Sequence, residues 1–328
     1  MLYDNIALVF RGGKMKKIFK SKKKLLISIV AVAIMVLLVV NVCASAFFSL
    51  VLYKRGGWSR FEKYSYGAEL KAESEWLEGI AKKVQIENSE NKEITALEIK
   101  NEHVSHSYII ICHQYGGSPA SMEEYARHFY DLGFNIIMPY MRGHGDSPYN
   151  NITFGWKDSD DVTAWVNSIV REDEDARIAL FGVSLGANAV AVCASEELPE
   201  NVRLVIADSC YTSMEALLKE YVKNETPFSS LLVTGLTAAF AKNKLGGNAE
   251  FTDTIIKIRD IELPIMFING ENDEVVPPLV SKRLYENCDA EGVEEVIIEE
   301  GLHGRNLQAD KETYWSYTDA FILNNIGI

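Results

Sequence analysis

The chain has 328 residues, a hydrophobic content of 48% and a net charge of -13, so a sizeable core is within its means. The charge is divided: residues 1–24 hold eight Lys or Arg against one acid, leaving 25 basic and 45 acidic side chains in residues 25–328. A body this acidic excludes nucleic acid and anionic polymers as partners.

The basic start, residues 1–24, reads as a cytoplasmic segment. Within it Arg11-Gly12-Gly13-Lys14 can be encoded by a purine-rich ribosome-binding sequence, so a true start at Met15 stays open beside Met1. Residues 25–53 carry no charge at all, and at about 1.5 Å per helical residue they exceed the roughly 30 Å of a bilayer's hydrocarbon. They predict a single transmembrane anchor. The lysines lie before it, which puts the N-terminus in the cytoplasm and the acidic body outside the cell membrane. A cleaved signal peptide competes, since residues 25–40 could be its apolar region and Ala44-Ser45-Ala46 its cleavage site. The apolar run continues through residues 47–52, which favours the anchor.

Residues 54–83 read as a linker or juxtamembrane helix, and residues 84–328 as one domain in which strands alternate with helices. Residues 84–87 and 94–99 predict two half-exposed strands, and 108–112 a fully apolar one. A helix over 121–132 ends at Gly133, and a strand over 135–138 follows. The next helix, near 157–170, puts Val162, Trp165, Val166 and Ile169 on one face. Strands at 178–181, 202–207, 265–268 and 293–298 continue the series, the last two separated by a helix that Pro277 and Pro278 start. This alternation implies a doubly wound, mostly parallel sheet covered on both faces. Residues 209–260 are the exception. Helical patterns at 213–222, 229–242 and 252–256 succeed one another without a strand, as in a small helical lid over an active site.

The chemistry centres on Gly182-x-Ser184-x-Gly186, between the apolar strand at 178–181 and a helix over 186–196. Gly-x-Ser-x-Gly occurs by chance in glycine-containing loops, but a strand-turn-helix context makes it a nucleophile elbow. The Leu185 amide then lies at the positive end of a helix, as one donor to an oxyanion. A serine needs a base beside it and an acid behind the base. His303 lies just past the last strand, where doubly wound sheets build their sites. His103, His106 and His128 suit solvated or structural roles better. Asp273, in the loop after the strand at 265–268, is the acid, with Asp208 as runner-up. The loop His113-Gln114-Tyr115-Gly116-Gly117-Ser118 supplies the second oxyanion donor, the amide of Tyr115. No cofactor is required. Five scattered cysteines make no disulfide framework, although an exported domain could form one bridge or two, and no spacing suggests a metal site.

Together these residues resemble the α/β-hydrolase superfamily, and within it the serine aminopeptidase and monoacylglycerol lipase branch, in a bacterial membrane-anchored subgroup. The order Ser184, Asp273, His303 is that family's order. Arg142-Gly143-His144-Gly145-Asp146-Ser147 is similar to the branch's Arg-Gly-His-Gly-x-Ser loop, which the resemblance makes structural. Two positions depart from the pattern: Gln114 replaces the glycine that usually follows the histidine, and Asn269 replaces a common histidine before the acid's glycine. The expected function is a membrane-anchored serine hydrolase, foremost a carboxylic ester hydrolase. A serine peptidase acting on short peptides and a catalytically silent, membrane-tethered binding protein are the alternatives.

Overall fold

A computed structural model describes residues 2–47, 49, 75–217 and 253–327. The first helix, α1 (Leu2–Phe47), begins well before the expected anchor and runs through the lysine cluster, because no proline interrupts the chain there. Within it Lys22–Cys43 is long and apolar enough to cross a membrane, 22 residues or about 33 Å of helix. The rest of the expected anchor, residues 50–53, and the linker up to residue 74 lie outside the described residues. The short helix α2 (Glu75–Ile80) then leads into the sheet.

Eight strands form one sheet: β1 (Lys82–Glu87), β2 (Glu93–Ile99), β3 (Ser107–Cys112), β4 (Asn135–Pro139), β5 (Arg177–Val183), β6 (Val202–Asp208), β7 (Ile265–Gly270) and β8 (Glu294–Ile298). Their spatial order is β1-β2-β4-β3-β5-β6-β7-β8. β1 with β2 and β2 with β4 are antiparallel, and the remaining pairs are parallel. The expected mostly parallel sheet is therefore present. The chain starts in the antiparallel edge and moves outward in both directions from β3, so the carboxyl ends of β5, β6, β7 and β8 lie side by side.

Parallel strands buried on both faces must be apolar at every position, and β5 shows the pattern. Ile178 and Leu180 join the core on one face, while Ala179, Phe181 and Val183 join the core on the other. Over the first face lie α4 (Asp158–Glu172), through Val162, Trp165, Val166 and Ile169, and α5 (Leu185–Ala194), through its small residues. Over the second lie α3 (Glu123–Asp131), through Tyr125 and Phe129, and the last helix, through Tyr314, Phe321 and Ile322. Each fully buried side chain of this size stabilises the fold by about 1.5–3 kcal/mol.

Two expectations are corrected, and two helices are defined more closely. β2 is buried along almost its whole length and not half-exposed, because it lies inside the sheet between β1 and β4. The helix expected over 121–132 is present as α3, preceded by a 3-10 turn (Pro119–Met122). After the final strand, Lys311–Asn325 is a helix of 15 residues capped by Asp310, which no simple period in the sequence announces. All five cysteines are free, and four of them, Cys112, Cys193, Cys210 and Cys288, are buried. Of the residues expected to form a lid, 214–217 are helical, and α6 (Thr254–Lys257) occupies the last expected pattern. The pattern at 229–242 and the end of that at 213–222 lie outside the described residues.

Candidate active site

Ser184 is the turn between β5 and α5, with φ 53° and ψ -107°. A residue other than glycine keeps such a conformation only where its surroundings enforce it. The flanking glycines do the enforcing. A Cβ on Gly182 would lie 2.3 Å from the Gly186 backbone, and one on Gly186 would lie 2.1 Å from the Cys112 carbonyl oxygen. The strand and the helix thus cross in backbone contact, and the serine is pushed out at the carboxyl edge of the sheet. Its N–H donates to Asp208 O over 2.8 Å, which fixes the turn to β6.

The loops after β7 and β8 deliver the other two side chains. They touch at Gly270 and Gly301, where a Cβ on Gly270 would lie 2.4 Å from the Gly301 backbone. Ser184 Oγ lies 2.8 Å from His303 Nε2, and His303 Nδ1 lies 2.8 Å from Asp273 Oδ2. The other carboxylate oxygen of Asp273 accepts from Val275 N–H at 2.8 Å and Val276 N–H at 2.7 Å. With carboxylate oxygen facing it, Nδ1 carries the imidazole proton. Nε2 is then the acceptor for the serine O–H. The structure brings together three residues separated by up to 119 positions, with Ser184 and His303 buried to within a tenth of their surface. Asn269 braces the acid loop from below, its Nδ2 donating to Val276 O over 2.9 Å.

Leu185 opens α5, so its N–H is at the positive end of that helix. The loop carrying Tyr115 leaves β3 beside this point, since Cys112 O packs on Gly186. Two of that loop's amides point elsewhere: Gly116 N–H donates to His144 Nε2 over 2.9 Å, and Gly117 N–H donates to Gln114 O over 3.0 Å. The Tyr115 ring stacks on Phe154 with centroids 6.1 Å apart. Gln114 is largely buried, and with Ser121, Tyr125, Val183, Gly304 and Arg305 it borders a cavity of about 100 Å³ beside the serine turn. A larger cavity of about 660 Å³ lies at the opposite end of the strands, around residues 194–203 and 260–264.

The loop 142–147 has a structural part. The Arg142 guanidinium donates to both oxygens of Asp161 and to Glu90 Oε1, each over 2.8 Å, and lies 4.0 Å from the centre of the Tyr149 ring. Burial opposes the charge of Arg142, but the bonds to Asp161 prevail and tighten its hold on the proton. His144, anchored by this loop, donates from Nδ1 to Arg142 O and receives the Gly116 amide on Nε2. His113 receives the Met141 N–H on Nε2 over 3.2 Å, and burial lowers its pKa to about 4. Both rings are therefore neutral braces between the 142–147 loop and the Tyr115 loop.

Of the remaining histidines, His103 is exposed, His106 pairs with Asp173 at the surface, and His128 binds Asp319 while stacking on Trp315. Asp208, the runner-up acid, is buried and turned away from His303 toward Ser209, Asn306 and Tyr314. Among the described residues one cluster, His106, Asp173 and Asp175, is close enough to share a metal ion, and it lies on the surface away from Ser184.

Residues 104–255 match the family Hydrolase_4, described as serine aminopeptidase, S33. The chain is 26% identical over 234 residues to the uncharacterized protein YqkD of Bacillus subtilis, covering 69% of this chain and 76% of that one. It is 25% identical over 183 residues to protein bem46 of Schizosaccharomyces pombe, covering 55% of this chain and 56% of that one. Among solved structures, an esterase of Pyrococcus furiosus superposes with a TM-score of 0.63 at 22% identity, over 75% of this chain and 93% of that one. An acylaminoacyl peptidase of Pyrococcus horikoshii superposes with a TM-score of 0.52 at 15% identity, over 74% of this chain and 41% of that one. At these identities the superpositions establish the shared fold. The chain has the α/β-hydrolase fold, and its residues 104–255 match the family described as serine aminopeptidase, S33.

Proposed function

We propose that this protein is a membrane-anchored serine hydrolase, foremost a carboxylic ester hydrolase, with Ser184, His303 and Asp273 as its reacting relay. The observation that carries the reading is the unbroken series of hydrogen bonds from Ser184 Oγ through the imidazole to Asp273, each 2.8 Å long. In the first step Nε2 takes the serine proton as Oγ attacks the acyl carbonyl. Asp273, held by the Val275 and Val276 amides, orients the ring and stabilises the imidazolium. The Leu185 and Tyr115 amides receive the oxyanion, where charge develops only in the transition state. The imidazolium then protonates the leaving group, and a water activated by the same nitrogen releases the acyl chain. None of these steps calls for a cofactor.

The hydrolase domain is assigned to residues 84–328, with residues 209–260 as its roof. Lys22–Cys43 serves as the membrane anchor, with the lysine-rich end in the cytoplasm and the domain outside. Protease added to intact cells should then remove the domain and spare the N-terminus, and an intact mass would reveal any cleavage near Ala46. A fluorophosphonate probe should label the purified protein at Ser184. Ser184→Ala should lower ester turnover at least about a thousandfold without loss of folded protein. Full activity in that variant would end this reading. A second reading keeps the relay and cleaves short peptides, as the description of the matched family suggests. Acyl esters assayed against aminoacyl amides separate the two, and failure of the probe to label would favour a silent binding protein.

A further inference from the structure

Asp208 ends β6 with no exposed surface, and the relay does not use it. Three donors converge on its carboxylate. Ser209 Oγ donates to Oδ1 over 2.9 Å, Asn306 Nδ2 to Oδ1 over 2.6 Å, and Tyr314 OH to Oδ2 over 2.9 Å. Ser209 carries the connection outward: its Oγ accepts the Gly304 N–H over 3.1 Å and shares Asn306 Nδ2 over 3.2 Å. Gly304 follows His303 directly, and Asn306 lies three residues after it. Ser209 is itself held at φ 56°, with its N–H donating to Ile268 O over 2.8 Å. The Asp208 carbonyl meanwhile receives the Ser184 N–H. One residue therefore grips both the serine turn and the histidine loop.

We propose that Asp208 is a positioning residue for the hydrolytic site: through Ser209 and Asn306 its ionised carboxylate fixes the His303 loop and so aims Nε2 at Ser184. The proposal rests on the reading of Ser184, His303 and Asp273 as the reacting groups. An ionised carboxylate accepts from all three donors through charge-assisted bonds, whereas a protonated one keeps the Tyr314 contact only by reversing it and leaves Oδ1 a weaker, neutral acceptor for Ser209 and Asn306. The strands on either side oppose Asp208 with Val183 and Ile268, which offer nothing to replace a lost bond. The ionisable groups that face it are Tyr314 from the final helix, Tyr125 from α3 and His303 from the loop after β8. Burial pushes its pKa up to about 6, against the pull of its three hydrogen bonds and of His303. Acidification through that value weakens the grip on the histidine loop, because its bonds are no longer charge-assisted.

The test is the pH dependence of kcat/KM for p-nitrophenyl butyrate with the full chain in detergent micelles. Protonation of the base alone gives an acidic limb of about one decade per pH unit, and a second essential group makes the limb steeper. The wild type is expected to show the steeper limb. Tyr314→Phe removes one donor to the charged carboxylate and should move the upper bend of the limb to higher pH. Asp208→Asn should return the limb to one decade per unit and lower kcat about tenfold to a hundredfold with KM little changed. Where Asp208→Asn does not fold, Tyr314→Phe, which loses a single oxygen, carries the test. Limbs of identical shape and position in the wild type and the folded variants would overturn the proposal, because a purely structural network moves stability alone. Wild-type protein that takes no fluorophosphonate at Ser184 would instead overturn the hydrolase reading beneath it.

Discussion

Gly186→Ala tests the crossing of β5 and α5 on which the serine turn depends. The added methyl would lie 2.1 Å from the Cys112 carbonyl oxygen, 2.5 Å from its carbon and 2.9 Å from its Cβ, where ordinary contact begins at 3.4 Å. The helix and β3 must therefore separate by about 1 Å, and no side-chain rotation can relieve a clash between two backbones. Overpacking of this kind costs about 1–3 kcal/mol of stability. The separation also parts the two proposed oxyanion donors, because Leu185 begins α5 and Tyr115 follows β3. A 1 Å misplacement at a reacting centre costs about 100-fold in rate, or about 2.7 kcal/mol. Ester turnover and the urea midpoint should thus fall together in this variant, while the larger share of the loss appears in kcat. A variant with wild-type kcat and an unmoved midpoint would refute the close packing described here.

Other outcomes follow from individual contacts. Ser184→Gly should be inactive yet more stable than Ser184→Ala by about 1 kcal/mol, since glycine tolerates the positive φ of that turn; denaturant titration of the pair measures the difference. Arg142→Ala strips the partner from Asp161 and should cost about 3–5 kcal/mol by the same assay, Arg142 being only 2% exposed. His113, whose folded pKa of about 4 lies below the ordinary 6.5, stabilises the fold fully above pH 6.5, and that contribution is lost as pH falls through about 4. Asp208 has the opposite sign: raised to about 6 from 3.8, its contribution is complete below pH 3.8 and lost as pH rises through about 6. Melting temperatures taken between pH 7 and 4 should therefore decline less steeply for His113→Gln and more steeply for Asp208→Asn than for the wild type.

Much of the fold could be read directly from the chain because it is written in local patterns. The centres of β3, β5, β6 and β7, residues 108–112, 178–181, 204–207 and 265–268, are unbroken apolar runs, and such runs have only one stable place, inside a sheet covered on both sides. Gly182-x-Ser184-x-Gly186, Asp273 and His303 each follow a strand, which puts them at one edge of a parallel sheet before any distance is known. The final helix is not legible in the sequence because its buried face is spread over Tyr314, Thr318, Phe321 and Ile322, mixed with polar neighbours that blur the period. β2 was read as half-exposed because burial depends on which strand lies next to it, and the order β1-β2-β4 is a property of the sheet.

The sequence by itself determined the class of fold, the apolar helix that could span a membrane, and the serine, acid and histidine offered for chemistry. Only the tertiary structure decided how they are held. His144 turns the Gly116 amide away, Arg142 clamps its loop to Asp161, and Asp208 chooses Ser209, Asn306 and Tyr314 over His303. Those bonds join residues as many as 106 positions apart, and their partners are selected by packing and by the cost of leaving buried polar groups unpaired. Periodicity along a chain carries information over a few residues. Which distant side chain completes a buried hydrogen bond is fixed when the layers close.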